Sequence, residues 1–132
     1  MISRTRSSWP AARSRVHSSA VLRSCHTIAR EIGCGFVPAR RPGKLPPETI
    51  GATYALEYGE NTLELHPETI RNGDRVLIHD DVLATGGTVE AIAGLVESLG
   101  AEVVGVAFII ELTFLGGRER LQTYDFHALI AY

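Results

Sequence analysis

The stretch from Val76 to Thr88 holds the side chains and glycines best suited to chemistry. Val76-Leu77-Ile78-His79 is a short apolar run of the kind found in a buried parallel strand. Asp80 and Asp81 follow it, then Val82-Leu83 and the loop Ala84-Thr85-Gly86-Gly87-Thr88. Beyond the loop, Ala91, Ile92, Leu95, Val96 and Leu99 recur at helical spacing, and Gly100 marks the stop. A strand that ends in two carboxylates, a glycine-rich turn and a helix start build a phosphate site. Gly86 and Gly87 let backbone N–H groups approach phosphate oxygens. The helix N-terminus adds about half a positive charge and free donors. Thr85 and Thr88 offer hydroxyls on either side, so Ala84 to Thr88 form the candidate cradle.

Asp80 and Asp81 would repel a bare phosphate. They suit neighbouring hydroxyls, or a Mg²⁺ ion shared with them. A phosphate pocket beside a diol pocket describes a ribose 5-phosphate. Two other phosphate patterns are excluded: Gly87 is followed by Thr88 rather than lysine, and no Gly-x-Gly-x-x-Gly follows a strand. The bland alternative is a tight turn with a solvated acidic cap. It fits a bare Thr-Gly-Gly-Thr, but it does not explain the whole series of apolar strand, paired acids, loop and amphipathic helix.

The elements that must position this loop span most of a 132-residue chain, a length that fits one domain. No apolar run is long enough to cross a membrane. Charge divides the chain: residues 1–44 carry nine basic residues against one acid, net +8, and residues 45–132 carry four against fourteen, net −10. Cys25 and Cys34 form neither a disulfide framework nor a metal pattern, and read as reduced thiols of a cytoplasmic protein. Residues 1–24 hold seven serines, five arginines and no acid, with no sustained hydrophobic period. They read as a poorly ordered lead segment or a transit peptide, set apart from a domain over residues 25–132. Nucleic-acid binding by this basic segment is disfavoured, because it lacks interleaved aromatics beyond Trp9.

Within the domain, His26 to Ile32 reads as the last turns of a helix, with Ile28, Ala29 and Ile32 on one side. Phe36 to Ala39 is a short strand, followed by a turn-rich loop through Arg40, Arg41 and Lys44, the chain's one lysine. Ala52 to Tyr58 and Thr62 to His66 form a hairpin or flap around Gly59-Glu60-Asn61. Val103 to Ile110 and Phe126 to Tyr132 supply further strands. Strand, loop, helix, strand is a βαβ unit and implies a parallel sheet.

The run Leu77 to Thr88 resembles the phosphoribosyl pyrophosphate motif of type I phosphoribosyltransferases. Three more stretches resemble adenine phosphoribosyltransferases: Phe36 to Pro46 their pyrophosphate-side loop, Leu56-Glu57-Tyr58-Gly59 their flexible catalytic loop, and Glu111 to Glu119 the segment that closes the base site. The resemblance implies an α/β fold with a parallel, Rossmann-like core and a flexible β-hairpin loop. It implies that Asp80 and Asp81 hold ribose hydroxyls, that Ala84, Thr85, Gly86, Gly87 and Thr88 bind the 5-phosphate, and that Arg40, Arg41 and Lys44 meet pyrophosphate. Glu57 becomes the general acid/base, and Val82 and Leu112 pack on adenine. The implied reaction makes AMP and pyrophosphate from adenine and 5-phosphoribosyl 1-pyrophosphate, in purine salvage. Mg²⁺ travels with the pyrophosphate, and the implied state is a cytoplasmic homodimer with no nucleic-acid or membrane partner.

The sequence departs from the family twice. His79 stands where an apolar residue is usual, and reads as a satisfied core histidine. The family's N-terminal helical hood and its Ala-Arg-Gly-Phe-like strand end are not legible in residues 1–24, so the fold is expected to be incomplete there. One choice of codons for Arg13 to Ser19, read one base later, spells Ala-Arg-Gly-Phe-Ile-Leu, which points to a shifted reading frame as the origin of the segment. The expectation is then weak or no turnover. A phosphoribosyltransferase for another base, such as xanthine or orotate, and an inactive ribose-phosphate-binding fragment are the alternatives.

Overall fold

The computed structural model describes residues 2–5, 20–46, 48–55 and 60–132. Its main layer is a five-stranded sheet. In chain order the strands are β1 (Ile2–Thr5), β2 (Gly35–Val37), β3 (Ile50–Ala55), β4 (Glu60–Leu65), β5 (Arg75–Leu83), β6 (Glu102–Glu111) and β7 (Phe126–Ala131). Helix α1 spans Ala20–Glu31 and helix α2 spans Gly87–Ser98. The sheet order is β2-β1-β5-β6-β7, and β3-β4 forms a separate hairpin.

The sheet has two characters. β5, β6 and β7 run parallel, as the βαβ pattern predicts. β1 pairs antiparallel with both β5 and β2. The strand at Ile2–Thr5 and the first turn of α1 therefore lie inside the segment that composition sets apart from the domain.

Alternation along β5 explains how the sheet is covered. Successive strand residues face opposite sides. Val76 and Ile78 are fully buried and share a core with Val89, Ile92, Ala93, Leu95 and Val96 of α2. Those α2 positions recur at three- and four-residue steps, which gives the helix one apolar stripe. His79 faces the other way, toward α1. Among the described residues of α1, Cys25 and Ala29 are buried, one helical turn apart. Ile32, expected on that stripe, is 51% exposed because the helix ends at Glu31 and leaves it in the closing turn.

β5 also runs further than its apolar run predicts. The strand was expected to end in the two carboxylates, yet it continues past Asp80 and Asp81 to Leu83. The reason is backbone pairing: Asp80, Val82 and Leu83 stay in register with Phe108, Ile110 and Glu111 of β6. A ladder bond does not depend on side-chain polarity, so a long β6 carries its neighbour along.

The hairpin packs on α2, which lies between it and the sheet. Leu63 and Leu65, two residues apart on β4, are buried in the shared core. On the outer face Thr53 and Thr62 pair across the strands, with their hydroxyl oxygens 2.9 Å apart. Among the described residues no helix is long and apolar enough to cross a membrane.

Candidate phosphate and ribose site

The loop after β5 is shaped by backbone contacts more than by side chains. Gly86 caps α2 in the left-handed conformation, with φ 82° and ψ −8°. The Glu90 N–H donates to the Gly86 carbonyl at 3.0 Å, so the amides before it head the helix without that intrahelical acceptor. A side chain at Gly86 would put its Cβ 2.8 Å from the carbonyl oxygen of Gly117. A side chain at Gly117 would collide with the Ala84 carbonyl oxygen. Two glycine backbones therefore press together, which only residues without Cβ allow. Gly86 and Gly87 are buried, Ala84 and Thr88 are half-buried, and Thr85 is exposed. The cradle is open to a ligand at its tip and closed behind.

Asp80 and Asp81 sit at the carboxyl end of β5, where open parallel sheets take their ligands. Because the strand continues through them, their side chains start toward opposite faces. The Asp81 N–H turns back to donate to Asp80 Oδ1 at 3.0 Å. Burial raises the Asp80 carboxyl above the ordinary carboxylate range, and the like charge of Asp81 adds to the rise. A charged group held at such a cost is a mark of a functional site.

The two residues expected to face a base lie on neighbouring strand ends. Val82 on β5 is 39% exposed. Leu112 follows β6, is half-buried, and donates its N–H to the Leu83 carbonyl at 2.9 Å. The parallel ladder thus continues one step past Glu111 and sets Leu112 beside the start of the loop.

The basic residues form a separate turn. Arg40 exchanges backbone hydrogen bonds with Glu64 of β4, at 2.9 and 2.6 Å. The Gly43 N–H donates to Glu64 Oε2 at 3.3 Å, and the Lys44 N–H to the Arg41 carbonyl at 3.2 Å. Arg41 and Lys44 are exposed. The turn is anchored to the hairpin through Glu64. Glu57 lies outside the described residues, between the hairpin strands that end at Ala55 and begin at Glu60.

His79 is the satisfied core histidine that its strand position predicts. It is 5% exposed. Its Nδ1 lies 2.9 Å from the Ala107 carbonyl, which can only accept, so Nδ1 carries the proton. Nε2, 3.0 Å from Ser24 Oγ, then accepts from that hydroxyl. Burial lowers the histidine's pKa.

Sequence reasoning passed over the segment behind the loop, apart from its likeness to a family stretch. Glu111 is buried and receives both Nε and Nη2 of Arg118, at 3.1 and 2.9 Å. The one local signal was the Gly116-Gly117 pair, which carries no group that chemistry would single out.

Comparison with known proteins agrees with the geometry. The phosphoribosyl transferase domain matches residues 20–127. The adenine phosphoribosyltransferase of Koribacter versatilis is 54% identical over 105 residues, covering 80% of this chain and 58% of that protein. The crystal structure of adenine phosphoribosyltransferase from Thermoanaerobacter pseudethanolicus superposes with a TM-score of 0.78 at 52% identity, covering 81% of this chain and 62% of that one. The Saccharomyces cerevisiae adenine phosphoribosyltransferase, complexed with an imino-altritol bisphosphate and adenine, gives 0.73 at 44% identity, covering 78% and 58%. The chain spans about three-fifths of the length of the curated relatives it matches. On the strength of that match and of a phosphate loop built at the end of a parallel strand, the chain belongs to the phosphoribosyltransferase family.

Proposed function

We propose that this chain carries the ribose-phosphate half of an adenine phosphoribosyltransferase, which joins adenine to 5-phosphoribosyl 1-pyrophosphate and releases AMP and pyrophosphate in purine salvage. The observation that carries the reading is the loop Ala84 to Thr88, closed behind by Gly117 and preceded by a costly carboxylate at Asp80. The identity of the base rests on the relatives, all of which act on adenine by name.

In this reading the first amides of α2 and the hydroxyls of Thr85 and Thr88 hold the 5-phosphate. Asp80 and Asp81 accept hydrogen bonds from the ribose hydroxyls and fix the sugar. Val82 and Leu112 flank the base. A ring nitrogen of adenine donates its lone pair to C1 of the sugar. The bond from C1 to the pyrophosphate oxygen breaks, and its electron pair leaves with pyrophosphate. Glu57 takes the proton that the nitrogen gives up. Arg40, Arg41 and Lys44 stabilise the departing charge.

Among the described residues no three His, Cys, Asp or Glu side chains gather as a metal cage. Asp80 and Asp81 are the carboxylates that would meet a Mg²⁺ ion carried in by the substrate phosphates. When bound, the ion neutralises the pyrophosphate and so makes it a better leaving group. A cytoplasmic homodimer is the assembly and location we attach to this reading.

Calorimetric titration of a polypeptide of these 132 residues with phosphoribosyl pyrophosphate, followed by turnover assays with adenine, xanthine and orotate, tests the proposal. The expected result is saturable binding of phosphoribosyl pyrophosphate, with turnover on adenine alone and far below that of a full-length relative. Turnover on another base, or no binding of the sugar phosphate, would sink it.

A further inference from the structure

The segment after β6 contains an ion pair, one partner buried and the other reaching the surface, that the reaction described above does not use. Glu111, the last residue of β6, is 5% exposed. Both of its carboxylate oxygens are engaged by the guanidinium fork of Arg118. The other face of that guanidinium lies over the Phe126 ring, 4.1 Å from its centre, on β7. Arg118 directly follows Gly117, the residue whose backbone presses on Ala84 and Gly86. The far end of the segment is pinned by Leu121, which is fully buried. Arg120 makes a second tie, an exposed pair with Glu90 in the first turn of α2 at 3.1 Å.

A bidentate arginine also stacked on a ring has few alternative positions. It therefore sets where the preceding backbone runs. The Gly117 contact has no slack either, since its Cα faces the Ala84 carbonyl at a separation that admits no side chain. From these facts we infer that the Glu111–Arg118–Phe126 brace positions the phosphate loop: it holds Gly117 against Ala84 and Gly86, and so fixes the N–H groups that receive a sugar 5-phosphate. Glu111 and Arg118 are positioning residues, and they act on the ligand only through Gly117. The inference rests on the ribose-phosphate reading for its ligand, but not for its mechanics.

The test compares Arg118→Met, Arg118→Lys and Glu111→Gln with the unaltered chain. Two quantities are read: amide hydrogen exchange resolved by segment, and affinity for ribose 5-phosphate. Arg118→Met is expected to speed exchange at residues 84–88 about tenfold and to weaken ribose 5-phosphate about tenfold, with exchange in α1 and the β3–β4 hairpin unchanged. Arg118→Lys, which keeps the charge and loses the fork, should fall between. Exchange at 84–88 that stays at the unaltered rate, or that rises equally in α1 and the hairpin, would overturn the brace. Should the unaltered chain fail to bind ribose 5-phosphate, the functional reading falls, and the exchange pattern still decides the brace.

Discussion

The loop at Ala84–Thr88 and the basic turn, the two phosphate contacts of the proposed site, are built in opposite ways. At Gly86, a left-handed backbone is locked by the Gly117 carbonyl, by the start of α2 and by the strand before it. At Gly43, the backbone is equally left-handed, with φ 72°, but nothing lies within 4 Å of where a side chain would go. The basic turn hangs on β4 by backbone bonds to Glu64 and one bond to its carboxylate. A site for a constant group, the 5-phosphate, can be rigid in advance. A site for a leaving group gains from long cationic side chains that adapt as charge develops.

Alanine at the two glycines should separate the regions most sharply. Gly43→Ala is expected to cost about 1 kcal/mol, the left-handed penalty alone. Gly86→Ala adds a backbone collision, for a loss of about 3 kcal/mol. Urea unfolding of both variants measures the difference, and equal losses would break the comparison.

Next in size is a split between ligands. Lys44→Ala should weaken phosphoribosyl pyrophosphate about tenfold, one charge-assisted contact, and leave AMP within about twofold. Calorimetry on the two ligands reads it. A matching loss for AMP would place Lys44 on the sugar-phosphate side.

Asp80 gives a smaller effect of unusual sign. Its folded pKa is raised, so the folded state holds its proton more tightly than the unfolded state does. Its contribution to stability is greatest below the unfolded value of about 3.8 and is lost as pH rises through the folded value. Wherever it is ionised, the carboxylate is therefore a burden. Asp80→Asn is predicted to raise stability by about 1 kcal/mol at pH 7, the scale of gains at functional sites, while sugar-phosphate binding is lost. Thermal melts with binding assays decide it; a destabilised variant would contradict the burial argument.

These contrasts also explain what was legible in the sequence. Strand, acids, glycine loop and helix are consecutive, so their order could be read directly from Val76 to Leu99. The extension of β5 past Asp81 to Leu83 depends on β6, more than twenty residues away, and so was missed. The antiparallel β1 is four residues long, and no local period announces it. Gly117 and Arg118 act on residues about thirty positions earlier, and a glycine pair gives no hint of its partner. The basic turn was readable as composition, but its anchor, Glu64, was not, because the bridge joins the turn to a strand far along the chain.

His79 supplies the smallest predicted effect. Its folded pKa lies below the ordinary 6.5, so the unfolded chain takes up a proton first as pH falls. Stability from the neutral ring is full above about 6.5 and declines toward the folded value. Melts between pH 7.5 and about 5 should show this decline in the unaltered chain, and His79→Gln should flatten it by about 0.5 kcal/mol. An identical pH profile in both would remove the histidine from the account.

The most direct test of the central claim is a calorimetric titration of the chain with ribose 5-phosphate beside free ribose and inorganic phosphate. The account predicts that ribose 5-phosphate binds more tightly than either part, and that Thr88→Val and Asp81→Asn each weaken it. Binding no tighter than that of inorganic phosphate, or unchanged in both variants, would contradict a ribose-phosphate site at Asp80 to Thr88.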